Sequence, residues 1–201
     1  MKRNYKLKLS HFVWLILMIS ITLGACQKNF LDRQTQGDYN QDNYPYPGGA
    51  GPYDQFINAA YATLRSYDVT TFPFIGATSI RGDDADKGST PTDGGTNAIT
   101  MDNFPVLASN GFCNTIWLGN YTLINRCNST IKEVNTNTTI VAPDDVKQQT
   151  IGEARFLRAY AYFNLVRFFG RVPLIDTLFS DPAAQNNVPQ SSAAQIYAFI
   201  E

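Results

Sequence analysis

The sequence predicts a mainly α-helical protein in which helices pack between neighbouring helices. Three segments, 53–67, 114–135 and 145–169, carry apolar residues at the three- and four-residue spacing of one helix face. The third segment is apolar on two nearly opposite faces, so a neighbour must cover each face, as in an array of stacked helices. The segment 68–112 shows no sustained period, which predicts a long functional or mobile loop.

The charge balance and the histidine content exclude several functions. The chain has 16 Lys and Arg against 17 Asp and Glu, and four of the basic residues lie in the first 25 residues, where there is no acid. Residues 26–201 therefore carry 12 positive and 17 negative charges and offer no basic stripe for nucleic acid. The single histidine, His11, lies in the same first segment, so the chain after it has no Ser-His-Asp triad, Cys-His dyad or histidine-ligated metal.

Residues 1–25 follow the order of a bacterial lipoprotein signal peptide. A basic start is followed by an apolar run from Phe12 to Leu23, and small residues then precede Cys26. The run is too short to span a bilayer, which takes about 20 residues. The sequence Leu-Gly-Ala-Cys resembles a bacterial lipobox, whose cysteine receives a diacylglyceryl group. The alternative is an ordinary signal peptide with an incidental cysteine.

An acylated Cys26 would hold the mature protein on a membrane without a transmembrane helix. Each buried methylene contributes about 0.8 kcal/mol, so several acyl chains anchor a soluble domain stably. Residues 26–52 are polar and end in prolines and glycines, which predicts a lipidated tether and an extended arm. Residues 53–201 remain as one helical domain.

Start and stop residues mark the ends of these helices. Pro52 opens the first helix, Asn114 is the predicted N-cap of the second, and Asp144 or Asp145 that of the third. Gly170 is a candidate left-handed cap at the end of the third helix.

A further helix starts at Ser191 or Ser192 and stops with the chain at Glu201. Because the last helix of an array needs a neighbour and a cap, we expect residues 53–201 to be the amino-terminal part of a longer domain.

The two remaining cysteines, Cys113 and Cys127, are 14 residues apart along the second helix. This separation corresponds to about 21 Å in a helix, whereas a disulfide requires Cα atoms about 4.4–6.8 Å apart. We therefore expect two small buried thiols rather than a bridge or a redox pair.

The third helix carries the most informative pattern. Its main face holds Ile151, Ala154, Leu157, Ala161, Leu165 and Phe168, and its second face holds Phe156, Tyr160 and Phe163. The string from Glu153 to Leu174, EARFLRAYAYFNLVRFFGRVPL, resembles the signature helix of the SusD/RagB family, the outer-membrane nutrient-binding lipoproteins of Bacteroidota.

Three weaker matches stand in the order expected for that family. Residues 26–32 resemble its lipidated start, residues 81–86 its acidic loop, and residues 117–128 its second helix. The resemblance implies a tetratricopeptide-like helical repeat scaffold with a loop-rich face. It also implies a surface-exposed lipoprotein of the cell outer membrane that captures oligosaccharides as a lid on a SusC-like, TonB-dependent transporter.

Glycan binding needs aromatic faces that stack on sugar rings, with amides and carboxylates that accept hydroxyl hydrogens. The loop supplies these groups, and our candidate ligand-binding residues are Phe72, Phe74, Asp83, Asp84 and Asp86. The alternative for each is structural: the phenylalanines fill small satellite cores and the acids solvate the loop. Tyr67, Asn97, Asp102, Asn103 and Phe104 lie in the same stretch.

Other chemistries have weaker support. The acids at 83–86 lack the oxygen spacing and closing glutamate of an EF-hand, so we expect no metal site and no cofactor.

Asp83 and Asp86 could form the carboxylate pair of a glycosidase, but nothing places them about a scissile bond, so we expect a protein that is not an enzyme. A peptide or glycopeptide ligand on the same scaffold is the remaining alternative, because scaffold does not fix ligand.

The lipobox predicts that Cys26→Ser leaves the protein unacylated. The variant should then leave the membrane fraction for the soluble fraction, because a single thioether-linked anchor carries the attachment. Fractionation of washed outer membranes measures this, and persistence of the variant there would contradict the lipoprotein assignment.

Overall fold

The computed structural model describes residues 52–82, 85–88, 90, 92–93, 95–104 and 106–201. The signal peptide, Cys26 and the arm lie outside the described residues, as do Asp83 and Asp84. Within the described ranges, no helix is both long enough and apolar enough to cross a membrane.

The described chain is mainly helical, as predicted. Its elements are α1 Asp54–Leu64, α2 Tyr67–Thr70, α3 Phe72–Ile75 with a π-helical turn Gly76–Ile80, α4 Gly95–Asp102, α5 Gly111–Thr136, α6 Asp144–Phe169, β1 Val172–Pro173, a 3-10 turn Pro182–Asn187, β2 Gln190–Ser191 and α7 Ala193–Ile200. The two short strands pair antiparallel, with Val172 opposite Ser191.

The centre of the fold is the packing of α5 against α6, each 26 residues long. Leucines from both helices, Leu123, Leu157 and Leu165, are almost fully buried in the main core. Ala154 and Ala161 are fully buried on α6, and their small side chains let a neighbouring helix approach closely. Helix α1 packs on both long helices and α7 packs on α6, so the long pair is covered on several sides.

The main face of α6 is buried as predicted, but the prediction that its second face must be covered is partly wrong. Phe156 is 71% exposed and Phe163 is 40% exposed, with the Arg167 guanidinium carbon 4.8 Å from the Phe163 ring centroid. The additional buried surface lies instead at Tyr162 and Val166. Periodicity showed that α6 has more than one apolar stripe, but it could not show which stripe meets a neighbour.

The helix ends agree in part with the predicted caps. Helix α5 begins three residues earlier than the predicted Asn114 cap, because Asn110 Oδ1 accepts the Phe112 N–H at 2.8 Å. Gly170 ends α6 with a positive φ of +72°, as a glycine permits, but its ψ of −81° lies outside the left-handed helical region, so the predicted left-handed cap is wrong. Ser192 caps α7 in a capping box with Gln195, as its sequence indicates.

The predicted loop at 68–112 is wrong, because much of the segment is helical. Helices α2, α3 and α4 and the π-helical turn are each eight residues or shorter, so none is long enough to display a helical period. Tertiary packing stabilises them. Ile80, Ala98, Met101 and Phe112 form a satellite core between the π-helical turn, α4 and the start of α5.

The cysteine prediction is confirmed in its main point. Cys113 and Cys127 are both free; Cys127 is buried and Cys113 is half-buried. Burial raises the pKa of the Cys127 thiol to about 12, so at neutral pH it remains a protonated, unreactive core group.

Gly119 sets the distance between α2 and α5. A Cβ atom at Gly119 would lie 2.6 Å from the Asp68 carbonyl oxygen, so no other residue fits this contact without a shift of the backbone. The approach seats α2 directly on α5 and thereby fixes where α3 begins.

Gly119→Ala should lower the free energy of unfolding by about 1–3 kcal/mol, the usual cost of inserting a group into a packed contact. Gly152→Ala is the matched control, because Gly152 is an exposed position within α6 with open space around its missing Cβ. That control should gain about 0.5–1 kcal/mol from helix propensity. Urea unfolding curves measure both, and equal effects of the two substitutions would contradict the close approach of α2 to α5.

Candidate functional site

Lys87 organises the polar segment that precedes α4. Its side chain is 8% exposed, and its Nζ donates to the carbonyl oxygens of Gly88 at 3.2 Å and Thr90 at 2.6 Å. The same Nζ donates to the carbonyl oxygen of Asp93 at 3.1 Å and pairs with its carboxylate at 3.3 Å. The Lys87 N–H donates to Asp102 Oδ1 at 3.0 Å. One buried ammonium therefore holds this part of the chain together, whereas buried apolar side chains stabilise the main core.

A cavity of about 350 Å³ lies beside this lysine. Its lining residues are Asp86, Lys87, Gly88, Thr90, Ile99, Asp102 and Asn103. Two of them are carboxylates, and the one lysine among them directs its ammonium to loop carbonyls and to Asp93. The other polar side chains of the described lining are two carboxylates, one hydroxyl and one amide, which suit a ligand rich in hydroxyl groups.

Helix α4 carries one side of the cavity and is fastened to the start of α5. Asn97 Oδ1 accepts the Gly111 N–H at 2.8 Å, and Asn110 Nδ2 donates to the Asn97 carbonyl at 3.1 Å and to Thr100 Oγ1 at 2.7 Å. These bonds tie Asp102 and the cavity to one of the two central helices.

Phe104 follows Asn103 at the end of α4 and has an unusual backbone. Its φ is +67°, and no other non-glycine residue of the described ranges has a positive φ. The ring is 53% exposed, and the Arg81 guanidinium carbon lies 4.4 Å from its centroid. This is a cation–π contact, which holds the ring by one face.

The structure separates the predicted site residues into two groups. Asp86 is exposed and lines the cavity, whereas Phe72 and Phe74 belong to α3 and are not among the lining residues. Phe72 is 43% exposed, with its ring 5.2 Å from that of Phe112 in an edge-to-face contact. Phe74 is half-buried, and its ring meets Phe168 of α6 edge-to-face at 5.5 Å.

The role of Lys87 was not predicted from the sequence. One sequence feature could have indicated it: Lys87 is the only basic residue between Arg81 and Arg126, and it lies within an acidic stretch. A lone cation among acids and glycines is a reasonable candidate for organising them. The left-handed backbone of Phe104 has no comparable sequence signal.

A second polar network holds the chain after α6 and concerns the fold. Arg158 Nη1 donates to Asn128 Oδ1 at 2.7 Å and to the Asp176 carbonyl at 3.0 Å. The Tyr162 hydroxyl donates to the Ile175 carbonyl at 2.9 Å and accepts the Ile175 N–H at 2.6 Å. Burial raises the Tyr162 pKa to about 12, so the hydroxyl keeps the proton that it donates.

Metal chemistry finds no support within the described ranges, where no group of three or more His, Cys, Asp or Glu side chains could hold an ion.

A family model described as "Starch-binding associating with outer membrane" matches residues 55–201. The chain belongs to the SusD-like family. It is 28% identical over 145 residues to SusD-like protein P2 of Formosa agariphila, covering 72% of this chain and 28% of that protein. It is 29% identical over 164 residues to a SusD-like protein of Bacteroides ovatus, covering 80% and 28%. The chain thus spans about 28% of the length of these relatives.

Solved structures of the family have the same helical arrangement. Surface glycan-binding protein A from Bacteroides uniformis matches with a TM-score of 0.60 and 27% identity, over 74% of this chain and 32% of that one. A laminarin-binding SusD-like protein matches with a TM-score of 0.60 and 26% identity, over 74% and 31%. The predicted tetratricopeptide-like helical fold is confirmed by these matches.

Proposed function

We propose that this chain is the helical region of a cell-surface lipoprotein that binds oligosaccharides and delivers them to a SusC-like, TonB-dependent transporter. The observation that carries the proposal is the SusD-like match over residues 55–201. Two of the similar structures are described as binding glycans, one of them laminarin.

The described surface supplies the chemistry that glycan capture needs. Asp86, Asp102 and Asn103 present oxygens and an amide at one cavity, and such groups pair with sugar hydroxyls. Solvent-facing phenylalanines on the same part of the chain offer flat apolar faces for the C–H surface of a sugar ring.

Within this proposal the predicted site residues take different roles. Phe72 offers an exposed ring for stacking, and Phe74 supports α3 through its contact with Phe168. Asp86 accepts hydroxyl hydrogens at the cavity. Asp83 and Asp84 are proposed to do the same from the neighbouring positions in the sequence.

The anchor and the partner belong to the same proposal. The lipobox at Cys26 supplies the attachment to the outer membrane, and the family description names that membrane. Residues 26–52 are proposed as the tether that lets the helical region act as a lid on the transporter. Binding without catalysis is proposed, since the family description names starch binding and no reaction.

Calorimetry of the full chain in detergent should detect binding of maltoheptaose, a starch fragment, or of laminarihexaose, a laminarin fragment. Phe72→Ala should weaken binding by about 1 kcal/mol through the lost ring contact, measured at a temperature where the variant remains folded, because the ring is partly exposed but also contacts Phe112. Phe163→Ala is the matched control, since Phe163 is comparably exposed and lies on α6.

Three outcomes would count against the proposal. Affinity for random peptides without affinity for either oligosaccharide would favour a peptide cargo on the same scaffold. Release of shorter sugars during incubation would indicate a glycosidase. Equal loss of affinity in Phe72→Ala and Phe163→Ala would show that α3 is not part of the binding face.

A further inference from the structure

The backbone of Phe104 is strained in a way that displays its ring. A bulky side chain at φ +67° is an outlier for an L-residue, and such a conformation persists only where surrounding contacts impose it. Here the strain does not place the ring in the core, because the side chain is 53% exposed. The Phe104 carbonyl accepts the Val106 N–H at 2.9 Å, so the backbone on the carboxyl side of the residue is also held in place. Because this strained conformation exposes an aromatic ring instead of burying it, packing of the core does not explain it.

Arg81 fixes the orientation of that ring. Its guanidinium covers one face at 4.4 Å, so the exposed area of Phe104 comes from the opposite face and the edges. Arg81 Nη1 is buried and has no hydrogen-bond partner in the described part of the chain. The ring therefore lies between this cation and any ligand that stacks on the open face.

Phe104 is not itself a lining residue of the polar cavity, but its backbone follows directly on two residues that are. Asp102 and Asn103 line the cavity and immediately precede Phe104. At about 350 Å³ the cavity lies near the lower end of the roughly 300–1,000 Å³ range of small-molecule sites. That volume suits a single sugar unit better than a long chain.

We infer that Phe104 and the adjoining cavity form a subsite for one pyranose unit of a neutral glycan, and that the subsite disfavours uronic acids. The inference rests on the proposed function, since it names the class of sugar at that site. The open face of Phe104 stacks on the C–H face of the sugar, and Asp86, Asp102 and Asn103 bind its hydroxyls.

Charge decides between neutral and acidic sugars. Asp86 and Asp102 place two carboxylates at the described lining, and the Lys87 ammonium is directed to Gly88, Thr90 and Asp93. The ring of Phe104 separates the Arg81 guanidinium from the open face, so the guanidinium cannot contact a sugar stacked there. A sugar carboxylate at this position would meet like charges, with no cation of the described residues directed toward it, and like charges at close range repel.

The first test measures affinity of the full chain for laminarihexaose by calorimetry. Phe104→Ala should weaken binding about tenfold, whereas Phe104→Tyr, which keeps the ring, should stay within about twofold of wild type. Phe156→Ala is the control, because Phe156 is a more exposed phenylalanine on α6, and it should leave affinity unchanged. Phe104→Gly should lose as much affinity as Phe104→Ala. Its free energy of unfolding should be no lower than that of wild type, since glycine adopts a positive φ without strain.

The second test compares laminarihexaose with the same hexasaccharide oxidised at C6 to the uronate. Wild type should prefer the neutral sugar, and Asp86→Asn should improve binding of the oxidised sugar about threefold through relief of repulsion. Asp145→Asn makes the same change of net charge at the start of α6 and should not alter the preference.

Each outcome decides a separate claim. If wild type binds laminarihexaose and Phe104→Ala behaves like Phe156→Ala, the subsite is wrong and the proposed glycan binding stands. A wild-type preference for the oxidised sugar overturns the neutral assignment. If neither the oxidised form, nor laminarihexaose, nor maltoheptaose binds, the proposed function and the subsite fall together.

Discussion

The packing of α5 against α6 is the interaction on which the other described elements depend. Leu123, Leu157 and Leu165 are buried where the helices meet, and Ala154 and Ala161 allow close approach. Burying a leucine side chain contributes about 1.5–3 kcal/mol, whereas a typical hydrogen bond between uncharged groups contributes about 0.5–1.5 kcal/mol net. Each of the shorter helices α1, α2, α3, α4 and α7, and the π-helical turn, contacts this pair.

These attachments differ in their physical nature. Gly119 lets α2 lie against α5 at backbone distance, while Arg158 and Tyr162 hold the chain after α6 through hydrogen bonds. The polar segment that precedes α4 is held by hydrogen bonds from the Lys87 ammonium, and hydrogen bonds of asparagine side chains link α4 to α5. A scaffold that is apolar at its centre and polar at its site can hold a binding surface in place while the loop sequence varies, which fits a family whose members bind different glycans.

The sequence was sufficient for the long helices and insufficient for the site. Helices α5 and α6 are long enough for periodicity to reveal them, Gly170 marks the end of α6, and Ser192 marks the start of α7. Helices α2, α3 and α4 are too short to display a period, and contacts such as the one at Gly119 form only in the folded chain. The sequence contained Asp86 and Phe104 as candidates of the right type. Only the backbone angle and the stacking of Arg81 distinguish Phe104 from the other phenylalanines of the segment.

Native-state hydrogen exchange in increasing denaturant tests most directly whether the α5–α6 pair has a higher opening free energy than the candidate site beside α4. Amides of Leu123 and Leu157 should exchange only through global unfolding. Amides of Ala98 and Met101 in α4 should exchange through local openings of lower free energy, with little dependence on denaturant. Lys87→Met should lower protection in α4 and leave α5 and α6 unchanged, and Lys132→Met, at an exposed position of α5, should change neither. Equal opening free energies in α4 and α6, or loss of protection in α6 on removal of the Lys87 ammonium, would contradict the account.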